Sequence, residues 1–269
     1  MTNLLKVEGA GNDFLLGTGT WARRFADDAA LVARLCDRRR GIGADGALAV
    51  FAEDNAVIRL VHRNADGSPS AFCANGTRCA ARAAVEILDY PATLVVSTGW
   101  TEIPAVVHGS RVSLELPQPG TPTDRTLETD RGIWRGRQLE LGTPHLVIPV
   151  DGIENLVMEE IAPPLRRHPA LGRDGANVHF VTLEPGLLRI RSFERGVEAE
   201  TLCCGSGVVA AALLALESTD DDSIAVEARS GDRLLVEALG DAPVSPSRLT
   251  GPARLVAEIE PLDGWGVSC

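Results

Sequence analysis

The sequence predicts an α/β protein of the α+β kind, made of two pseudo-symmetric halves, each a central helix wrapped by strands, with the active site in the cleft between the halves. Two observations lead to this prediction. Blocks of sequence recur in the same order in the two parts of the chain, which is the signature of an internal repeat. Each part also holds many short strand-like segments and a helix that the strands would have to cover.

The repeat is anchored by two cysteine-containing segments. Cys204 lies 131 residues after Cys73, and at the same spacing the block "GNDFLL" falls on "GTPHLV". The block "GADGALAV" resembles "GRDGANVHFV" at nearly that spacing. The stretch "PQPGTPTD" is rich in Pro, Gly and Thr and is typical of a boundary. We therefore predict a first half over residues 1–118 and a second over 119–262, with the tail 263–269 free to return to the first.

The predicted strands are short and either alternate in polarity or are rich in β-branched residues. In the first half they are "NAVIRLVHR", "TLVVSTG", "PAVVHG" and "RVSLEL". In the second they are "GRQLELG", "PHLVIPV", "NVHFVTL", "LLRIRSF", "DSIAVEARSG" and "DRLLVEAL". Helices are predicted after the cysteines, over residues 76–89 and 206–217. The second helix has almost no polar face, so it must be buried on nearly all sides.

Composition and charge exclude several classes of protein. The chain has 269 residues and a formal net charge of −11, which argues against nucleic acid or an anionic membrane as a partner. The first residues lack an apolar signal-peptide core, and no segment is long enough for a transmembrane helix. Six cysteines without a secretory signal indicate reduced thiols and a cytoplasmic protein. Their spacing does not form paired C-x-x-C units, so no metal site is expected.

The segment "GIGADG" (41–46) matches the dinucleotide-binding pattern G-x-G-x-x-G. That pattern binds pyrophosphate only when it follows a strand and opens a helix. Here it follows a helix-like stretch and precedes strand-like "ALAVF". We therefore expect no nucleotide site.

Two of the cysteines stand where a helix begins. Cys73 and Cys204 each precede a small turn and then a helix. A helix N-terminus stabilises a thiolate through its dipole and its free N–H groups, and the same N–H groups can bind an anion. Cys203 is predicted to serve packing, and Cys36, Cys79 and Cys269 to be inert and buried.

A thiol in each of two homologous halves indicates an amino-acid racemase or epimerase. Such an enzyme takes a proton from one face of a carbon atom and returns one to the other face, because D and L centres present their hydrogen on opposite sides. A cysteine protease would need one thiol and a histidine base, and the repeat would then have no explanation.

The sequence resembles the diaminopimelate epimerase family, which is cofactor-independent, over nearly the whole chain. The resemblance is carried by "GAGNDF", "GIGADG", "RNADGS", "CANGTRC", "GTPH", "NVHFV" and "ERGVEAETLCCGSG". It implies two pseudo-symmetric α/β halves that close on an amino-acid substrate, a homodimer as one assembly, and no cofactor. The implied pathway is that of lysine and peptidoglycan synthesis.

The resemblance also implies a role for each matched residue. Cys73 and Cys204 would be the acid/base pair, and His145 and Glu194 would set the protonation and position of the site. The residues implied to bind substrate are Asn12, Asn64, Ala74, Asn75, Thr143, Asn177, Arg195, Gly205 and Ser206.

The chain departs from the family pattern at three points. Ala74 stands where the family usually has Gly, Thr143 stands where it has Asn, and the segment between Arg195 and Cys204 is one residue longer. Three functions are therefore open from the sequence. They are epimerisation of LL- to meso-diaminopimelate, the same chemistry on another amino acid (of the histidine or proline type), and a catalytically inactive amino-acid-binding protein.

Overall fold

The computed structural model describes residues 3–240 and 244–262, which divide into two compact units. Unit 1 holds residues 3–9, 13–110 and 253–262; unit 2 holds residues 10–12, 111–240 and 244–252. The predicted tail 263–269, with Cys269, lies outside the described residues.

Unit 1 contains three helices and eight strands among its described residues. The helices are α1 (Thr20–Asp27), α2 (Ala29–Cys36) and α3 (Ala74–Ile87). The strands are β1 (Leu4–Gly9), β2 (Asn12–Thr18), β3 (Gly46–Ala52), β4 (Val57–Asn64), β5 (Pro69–Ser70), β6 (Thr93–Ser97), β7 (Glu102–His108) and β18 (Arg254–Glu258).

The strands of unit 1 pair in the order β18–β1–β2–β3–β4–β6–β7, and β5 adds to β4. The β2–β3 and β4–β6 pairs are parallel, whereas β3–β4 and β6–β7 are antiparallel.

Unit 2 contains two α-helices and ten strands among its described residues. The helices are α4 (Met158–Arg166) and α5 (Gly205–Leu216), and a single 3-10 turn covers Pro169–Leu171. The strands are β8 (Arg111–Leu116), β9 (Thr123–Thr129), β10 (Gly132–Leu141), β11 (Thr143–Pro149), β12 (Asn177–Glu184), β13 (Leu187–Glu194), β14 (Ala199–Thr201), β15 (Ser223–Glu227), β16 (Arg233–Ala238) and β17 (Ser247–Pro252).

The strands of unit 2 repeat the pattern of unit 1. They pair in the order β9–β10–β11–β12–β13–β15–β16–β17–β8. The β11–β12 and β13–β15 pairs are parallel, and β12–β13 and β15–β16 are antiparallel. The registers correspond as well, since Phe14 pairs with Gly46 in unit 1 and His145 pairs with Asn177 in unit 2. The two homologous halves predicted from sequence are therefore present as two similar folding patterns.

Helices α3 and α5 are the central elements of their units. Helix α3 contacts β1, β3, β4, β6, β7 and β18, and α5 contacts β10, β11, β12, β13, β15 and β16. Nine of the twelve residues of α5 are buried, which its nearly continuous apolar sequence requires. The prediction of a strand-wrapped helix in each half is confirmed.

Three shorter helices were given no bounds from the sequence, although the stretch before residue 41, where α2 lies, was interpreted as helix-like. Helices α1 and α2 bring Trp21, Phe25 and Leu35 onto an apolar cluster of unit 1, and α4 brings Met158 and Leu165 onto one in unit 2. Each has only eight or nine residues. Two helical turns are too few for the 3.6-residue period to stand out from the surrounding sequence.

Two segments at the ends of the predicted halves pair outside those halves. Strand β8 lies before residue 118 but pairs with β17 of unit 2, and β18 lies before residue 262 but pairs with β1 of unit 1. Strands that pair over so long a sequence separation carry no local sequence pattern from which their pairing could be predicted.

Two further findings concern the sequence expectations. No helix within the described ranges has the length and hydropathy to cross a bilayer. The segment 41–46 follows helix α2 and leads into strand β3, which begins at Gly46. This helix-to-strand order is the reverse of the strand-to-helix order that a pyrophosphate site uses.

Candidate active site

In unit 1 the candidate site is the first turn of α3, which Cys73 caps. The backbone of Cys73 is extended (φ −146°, ψ 112°), and the N–H of Gly76 donates to its Sγ at 3.5 Å. The side chain is half-buried. A Cβ at Gly76 would lie 2.9 Å from Cδ2 of Leu48, so a side chain there would require Leu48 to move. The turn thus holds the thiol of Cys73 at the N-terminal end of the helix, where negative charge is favoured.

A buried arginine supports this turn from within the same helix. Arg78 is fully buried, and its guanidinium donates to Oδ1 of Asn75 at 2.8 Å. A second N–H of Arg78 donates to the carbonyl of Ala74 at 3.4 Å. Because guanidinium stays charged in proteins, a fixed positive charge lies in the second turn after Cys73. Sequence reasoning assigned Asn75 and Ala74 to the site but missed Arg78.

In unit 2 the equivalent position is the first turn of α5, which Cys204 caps. Its carbonyl accepts the N–H of Val208 at 2.8 Å, and its Sγ lies 3.9 Å from Oγ of Ser206. The thiol is buried. Burial is the main cause that raises the pKa of Cys204 well above its usual value; the carboxylate of Glu194 raises the pKa further, and a hydrogen bond from the N–H of Gly207 opposes both. Cys204 is therefore a thiol at neutral pH.

Glu194 ends β13 and connects two parts of the site in unit 2. Its Oε1 accepts the hydroxyl of Thr201 at 2.5 Å, and its carboxylate interacts with the thiol of Cys204. A carboxylate beside a thiol favours the protonated sulfur through repulsion of the thiolate and by accepting the S–H hydrogen bond. Glu194 thus favours the protonated form of Cys204.

A hydrogen-bonded chain joins Arg195, Asn177, Thr143 and His145. The N–H of Arg195 donates to Oδ1 of Asn177 at 2.8 Å, and Nδ2 of Asn177 donates to Oγ1 of Thr143 at 3.2 Å. Oγ1 of Thr143 lies 3.2 Å from Nε2 of His145. The parallel pairing of β11 and β12 places His145 opposite Asn177. Thr143 therefore connects two predicted site residues although it replaces the family's usual asparagine.

The chain continues through a second histidine, which sequence reasoning missed. Nδ1 of His145 lies 2.9 Å from Nε2 of His179, whose Nδ1 lies 2.9 Å from Oγ of Ser192. All three side chains are buried. Burial lowers the pKa of His145 to about 4 and lowers the pKa of His179 well below its usual value. Both rings are therefore neutral at physiological pH.

His145, His179 and Cys204 could also be considered as metal ligands, because one ligand atom from each lies within 4.8 Å of the others. Two imidazole nitrogens bound to one tetrahedral zinc at ~2.0–2.1 Å would stand roughly 3.3 Å apart. The two facing nitrogens here are 2.9 Å apart, which is a hydrogen-bond distance. The geometry fits a histidine pair that shares a proton better than it fits a metal centre.

Arg195 offers a cation without a carboxylate partner among the described residues. The residue is half-buried and forms no ion pair there. By contrast, Arg191 on the preceding strand is bound by both oxygens of Glu200, at 2.7 and 2.8 Å. A half-buried arginine of this kind suits the carboxylate of a ligand.

The other predicted site residues have simpler surroundings. Asn12 begins β2 and is half-buried. Asn64 ends β4, is exposed, and donates through Nδ2 to Oγ of Ser68 at 3.0 Å. Gly205 is the first residue of α5, and Ser206 the second.

The remaining described cysteines are all free thiols. Cys36, Cys79 and Cys203 are buried, and burial raises the pKa of Cys36 and of Cys79 to about 12. Those two thiols are therefore protonated and unreactive at neutral pH, as their sequence surroundings indicated.

Unit 2 brings together eight of the predicted site residues, and unit 1 groups three of them in one turn. Those of unit 2 are Thr143, His145, Asn177, Glu194, Arg195, Cys204, Gly205 and Ser206; those of unit 1 are Cys73, Ala74 and Asn75. His179 could have been found from the sequence, because it lies two positions after Asn177 on one strand and so points to the same face.

Replacing Gly207 by alanine is expected to destabilise unit 2. A Cβ at this position would lie 2.1 Å from Cε1 of His179, and hydrogen bonds hold that ring on both sides. Overpacking of this kind costs ~1–3 kcal/mol, whereas helix propensity alone would favour alanine by about 1 kcal/mol. We expect the free energy of unfolding in urea to fall. Gly120→Ala, whose Cβ would meet nothing closer than 3.6 Å, is the control, and equal stability of the two variants would contradict the prediction.

Replacing Glu194 by glutamine is expected to lower the pKa of Cys204. The change removes the negative charge that disfavours the thiolate, so the thiolate should form at lower pH. The measurement is the ultraviolet thiolate absorbance against pH, taken as the difference between proteins with and without the Cys204→Ala substitution. Glu198→Gln, which removes a carboxylate bound to Arg167, should leave the midpoint unchanged. An unchanged midpoint in Glu194→Gln would show that Glu194 does not control this thiol.

Comparison with known proteins identifies the family. The family model for diaminopimelate epimerase matches residues 4–114 and 138–256. The diaminopimelate epimerase of Xylella fastidiosa is 36% identical over 93% of each chain. That of Chlorobaculum tepidum is 34% identical over 93% of this chain and 97% of its own. That of Hydrogenobaculum sp. is 32% identical over 95% of this chain and 96% of its own.

Solved structures show the same fold at much lower identity. A probable proline racemase from Agrobacterium radiobacter superposes with a TM-score of 0.74 at 15% identity, covering 98% of this chain and 93% of its own. A phenazine biosynthesis protein of the PhzF family from Bacillus anthracis also gives 0.74, at 17% identity, covering 97% of this chain and 99% of its own. These likenesses establish the fold alone. Because the family model spans most of the sequence and relatives above 30% identity cover nearly all of it, this chain belongs to the diaminopimelate epimerase family.

Proposed function

We propose that this protein interconverts LL- and meso-diaminopimelate by acid/base transfer between Cys73 and Cys204, without a cofactor. The observation that carries the proposal is that each repeat places one cysteine as the N-cap of its central helix. The relatives named above are diaminopimelate epimerases, which supports this substrate over another amino acid. The two thiols would have to reach one α-carbon from opposite faces.

The surroundings of the two sulfurs support different resting protonation states. Cys204 is a buried thiol beside the carboxylate of Glu194. Cys73 accepts an N–H bond at a helix N-terminus whose second turn holds the buried cation of Arg78, and such surroundings favour a thiolate. The Cys73 thiolate would therefore remove the α-proton and the Cys204 thiol would donate its proton to the opposite face. Cys73 then ends as thiol and Cys204 as thiolate, and the reverse reaction restores both.

The planar intermediate carries extra negative charge on the α-carboxylate, which the enzyme has to stabilise. The first turns of α3 and α5 each present backbone N–H groups at the positive end of a helix dipole. Preorganised donors of this kind contribute ~3–4 kcal/mol each to transition-state stabilisation. The resemblance assigns the backbone at Ala74–Asn75 and Gly205–Ser206 to this task.

The distal end of the substrate is assigned to Arg195 and its neighbours. Diaminopimelate carries a second amino-acid group, so its distal carboxylate and ammonium both need partners. The guanidinium of half-buried Arg195 is suited to the carboxylate. The amide of Asn177, which the N–H of Arg195 orients, supplies a polar group beside it.

A cytoplasmic location and a homodimer are part of the same proposal. Two thiols that must stay reduced to transfer protons suit a reducing compartment, and the described cysteines are free. The homodimer rests on the family resemblance.

The test is solvent deuterium incorporation at the α-carbon. The protein is incubated in heavy water with LL-diaminopimelate, lysine, histidine and proline, each in turn, and the α-proton signal is followed by NMR. We expect exchange with inversion for diaminopimelate. Exchange with none of the four amino acids would contradict the racemase class, and preferential exchange with histidine or proline would replace the proposed substrate while keeping the chemistry.

A further inference from the structure

The two repeats differ in what lies beneath the first turn of the central helix. In unit 2 the chain His145–His179–Ser192 runs beneath α5. The matching strand positions of unit 1 hold Phe14, Leu48 and His62, since Leu48 pairs with His62 as His179 pairs with Ser192. Unit 1 therefore has a largely apolar support beneath Cys73, and unit 2 has a hydrogen-bonded one beneath Cys204.

His62 shows that a buried histidine alone does not make such a chain. It packs edge-on against Phe14, with ring centroids 5.6 Å apart. No described group hydrogen-bonds to either of its ring nitrogens. His179 instead has a partner at each nitrogen, at 2.9 Å on both sides. The two buried histidines therefore differ in whether their ring nitrogens have hydrogen-bond partners.

The protons of the two unit 2 rings are coupled to each other. A neutral imidazole has one N–H and one bare nitrogen, and the contact between His145 and His179 needs one proton. If His145 carries it on Nδ1, then Nε2 of His179 is bare and His179 must hold its proton on Nδ1, toward Ser192. If His179 supplies it from Nε2, then His145 must hold its own proton on Nε2, toward Thr143. The tautomers of His145 and His179 are therefore coupled, so that fixing one fixes the other; the carbonyl of Leu141 also hydrogen-bonds to His145, and Ser192 to His179.

His179 also fixes the position of the helix that carries Cys204. Its ring lies so close to Gly207 that no side chain fits there. One buried ring thus contacts both His145 and the first turn of α5. A change in the position or protonation of this ring would therefore affect Thr143 and Asn177, because His145 is hydrogen-bonded to Thr143 and Thr143 to Asn177.

We propose that His179 is a positioning residue of the epimerase, which selects the tautomer and orientation of His145 and thereby holds Thr143 and Asn177 in place for the substrate. The expected effect of His179 on turnover rests on the proposed function. The coupling between the two histidines does not depend on that function. It can therefore be tested even in a protein that shows no turnover.

The experiment compares His179→Leu, which introduces the residue that unit 1 has at this position, with His179→Gln, whose amide can still reach His145. We expect kcat/KM for LL-diaminopimelate to fall about tenfold to a hundredfold in His179→Leu and to recover most of that loss in His179→Gln. Long-range ¹H–¹⁵N NMR should show one neutral tautomer of His145 in the native protein and an altered population in His179→Leu. His62→Leu is the matched control and should leave the His145 signals unchanged.

Two results would overturn the proposal. The first is native kcat/KM together with native His145 signals in His179→Leu. The second is equal loss of kcat/KM in the leucine and glutamine variants, which would indicate a purely structural role. If His179→Leu does not fold, Ser192→Ala tests the coupling instead. Removing the hydroxyl next to His179 should shift the His145 signals, and unchanged signals would refute the coupling. A native protein without turnover but with coupled signals would refute the proposed function and leave the coupling standing.

Discussion

Replacing Cys204 by alanine is expected to lower kcat/KM for diaminopimelate epimerisation by at least about 10³-fold. General acid–base catalysis by one positioned group contributes ~10²–10⁴-fold, and two groups that act as a unit are lost together when either is removed. Cys204 is the proposed acid because its buried thiol, next to Glu194, holds its proton at neutral pH. Cys73→Ala should have a loss of the same order, since it removes the proposed base. The measurement is the initial rate of inversion in both directions.

Cys203→Ala is the matched control for this prediction. Cys203 is adjacent in sequence and also buried, yet Cys204 is the residue that caps α5. Removing the Cys203 sulfur should cost some stability through lost packing and leave most of the activity. Full activity in Cys204→Ala, with loss in Cys203→Ala, would contradict the prediction and show that Cys203 is the reactive thiol.

The sequence indicated the two central helices because their signals are local. An apolar run that follows a cysteine and a glycine-containing turn predicts a buried helix and its N-cap within a dozen residues. The same holds for the repeat, whose blocks keep their order along the chain. The pairing of β18 with β1 and of β17 with β8 could not be found in this way, because strand register between distant segments depends on the packed structure.

The supporting residues of the site were hidden for a related reason. An arginine in an alanine-rich helix is expected at the surface, whereas the structure shows that Arg78 is buried and bonds to Asn75. Ser192 is one small residue within a strand. Its importance follows from the antiparallel register that places it opposite His179. Resemblance to a family identifies the residues expected to touch substrate, whereas the residues behind them become visible through distances and burial.

The asymmetry between the two sulfurs has a consequence for how the reaction begins. In the proposed mechanism, a substrate whose α-hydrogen faces Cys73 would meet a base, whereas one whose hydrogen faces Cys204 would meet a thiol. The second epimer therefore needs the opposite protonation state, in which Cys204 has lost its proton against burial and the charge of Glu194. The network around Glu194, Thr201 and Cys204 would therefore affect which of the two protonation states predominates in the free enzyme.

Replacing Arg195 by alanine is expected to remove most of the enzyme's preference for diaminopimelate over lysine. Lysine has the distal ammonium but lacks the distal carboxylate, so it makes no use of a guanidinium at that end. A hydrogen bond to a charged group contributes ~1.5–3 kcal/mol, or about tenfold to a hundredfold in kcat/KM. We expect native kcat/KM to be far higher for LL-diaminopimelate than for lysine. In Arg195→Ala the value for diaminopimelate should fall by about a hundredfold, while that for lysine should hardly change.

Two further variants make the Arg195 prediction specific. Arg195→Lys keeps a charge but loses the planar fork that matches a carboxylate, so it should retain only part of the preference. Arg167→Ala removes an exposed arginine that already pairs with Glu198, and it should leave both substrates unaffected. An equal fall for diaminopimelate and lysine in Arg195→Ala would mean that the Arg195 side chain supports the shape of the site and does not bind the distal carboxylate. The distal carboxylate would then have to bind elsewhere, and Asn64 and Asn12 would be the residues to replace next.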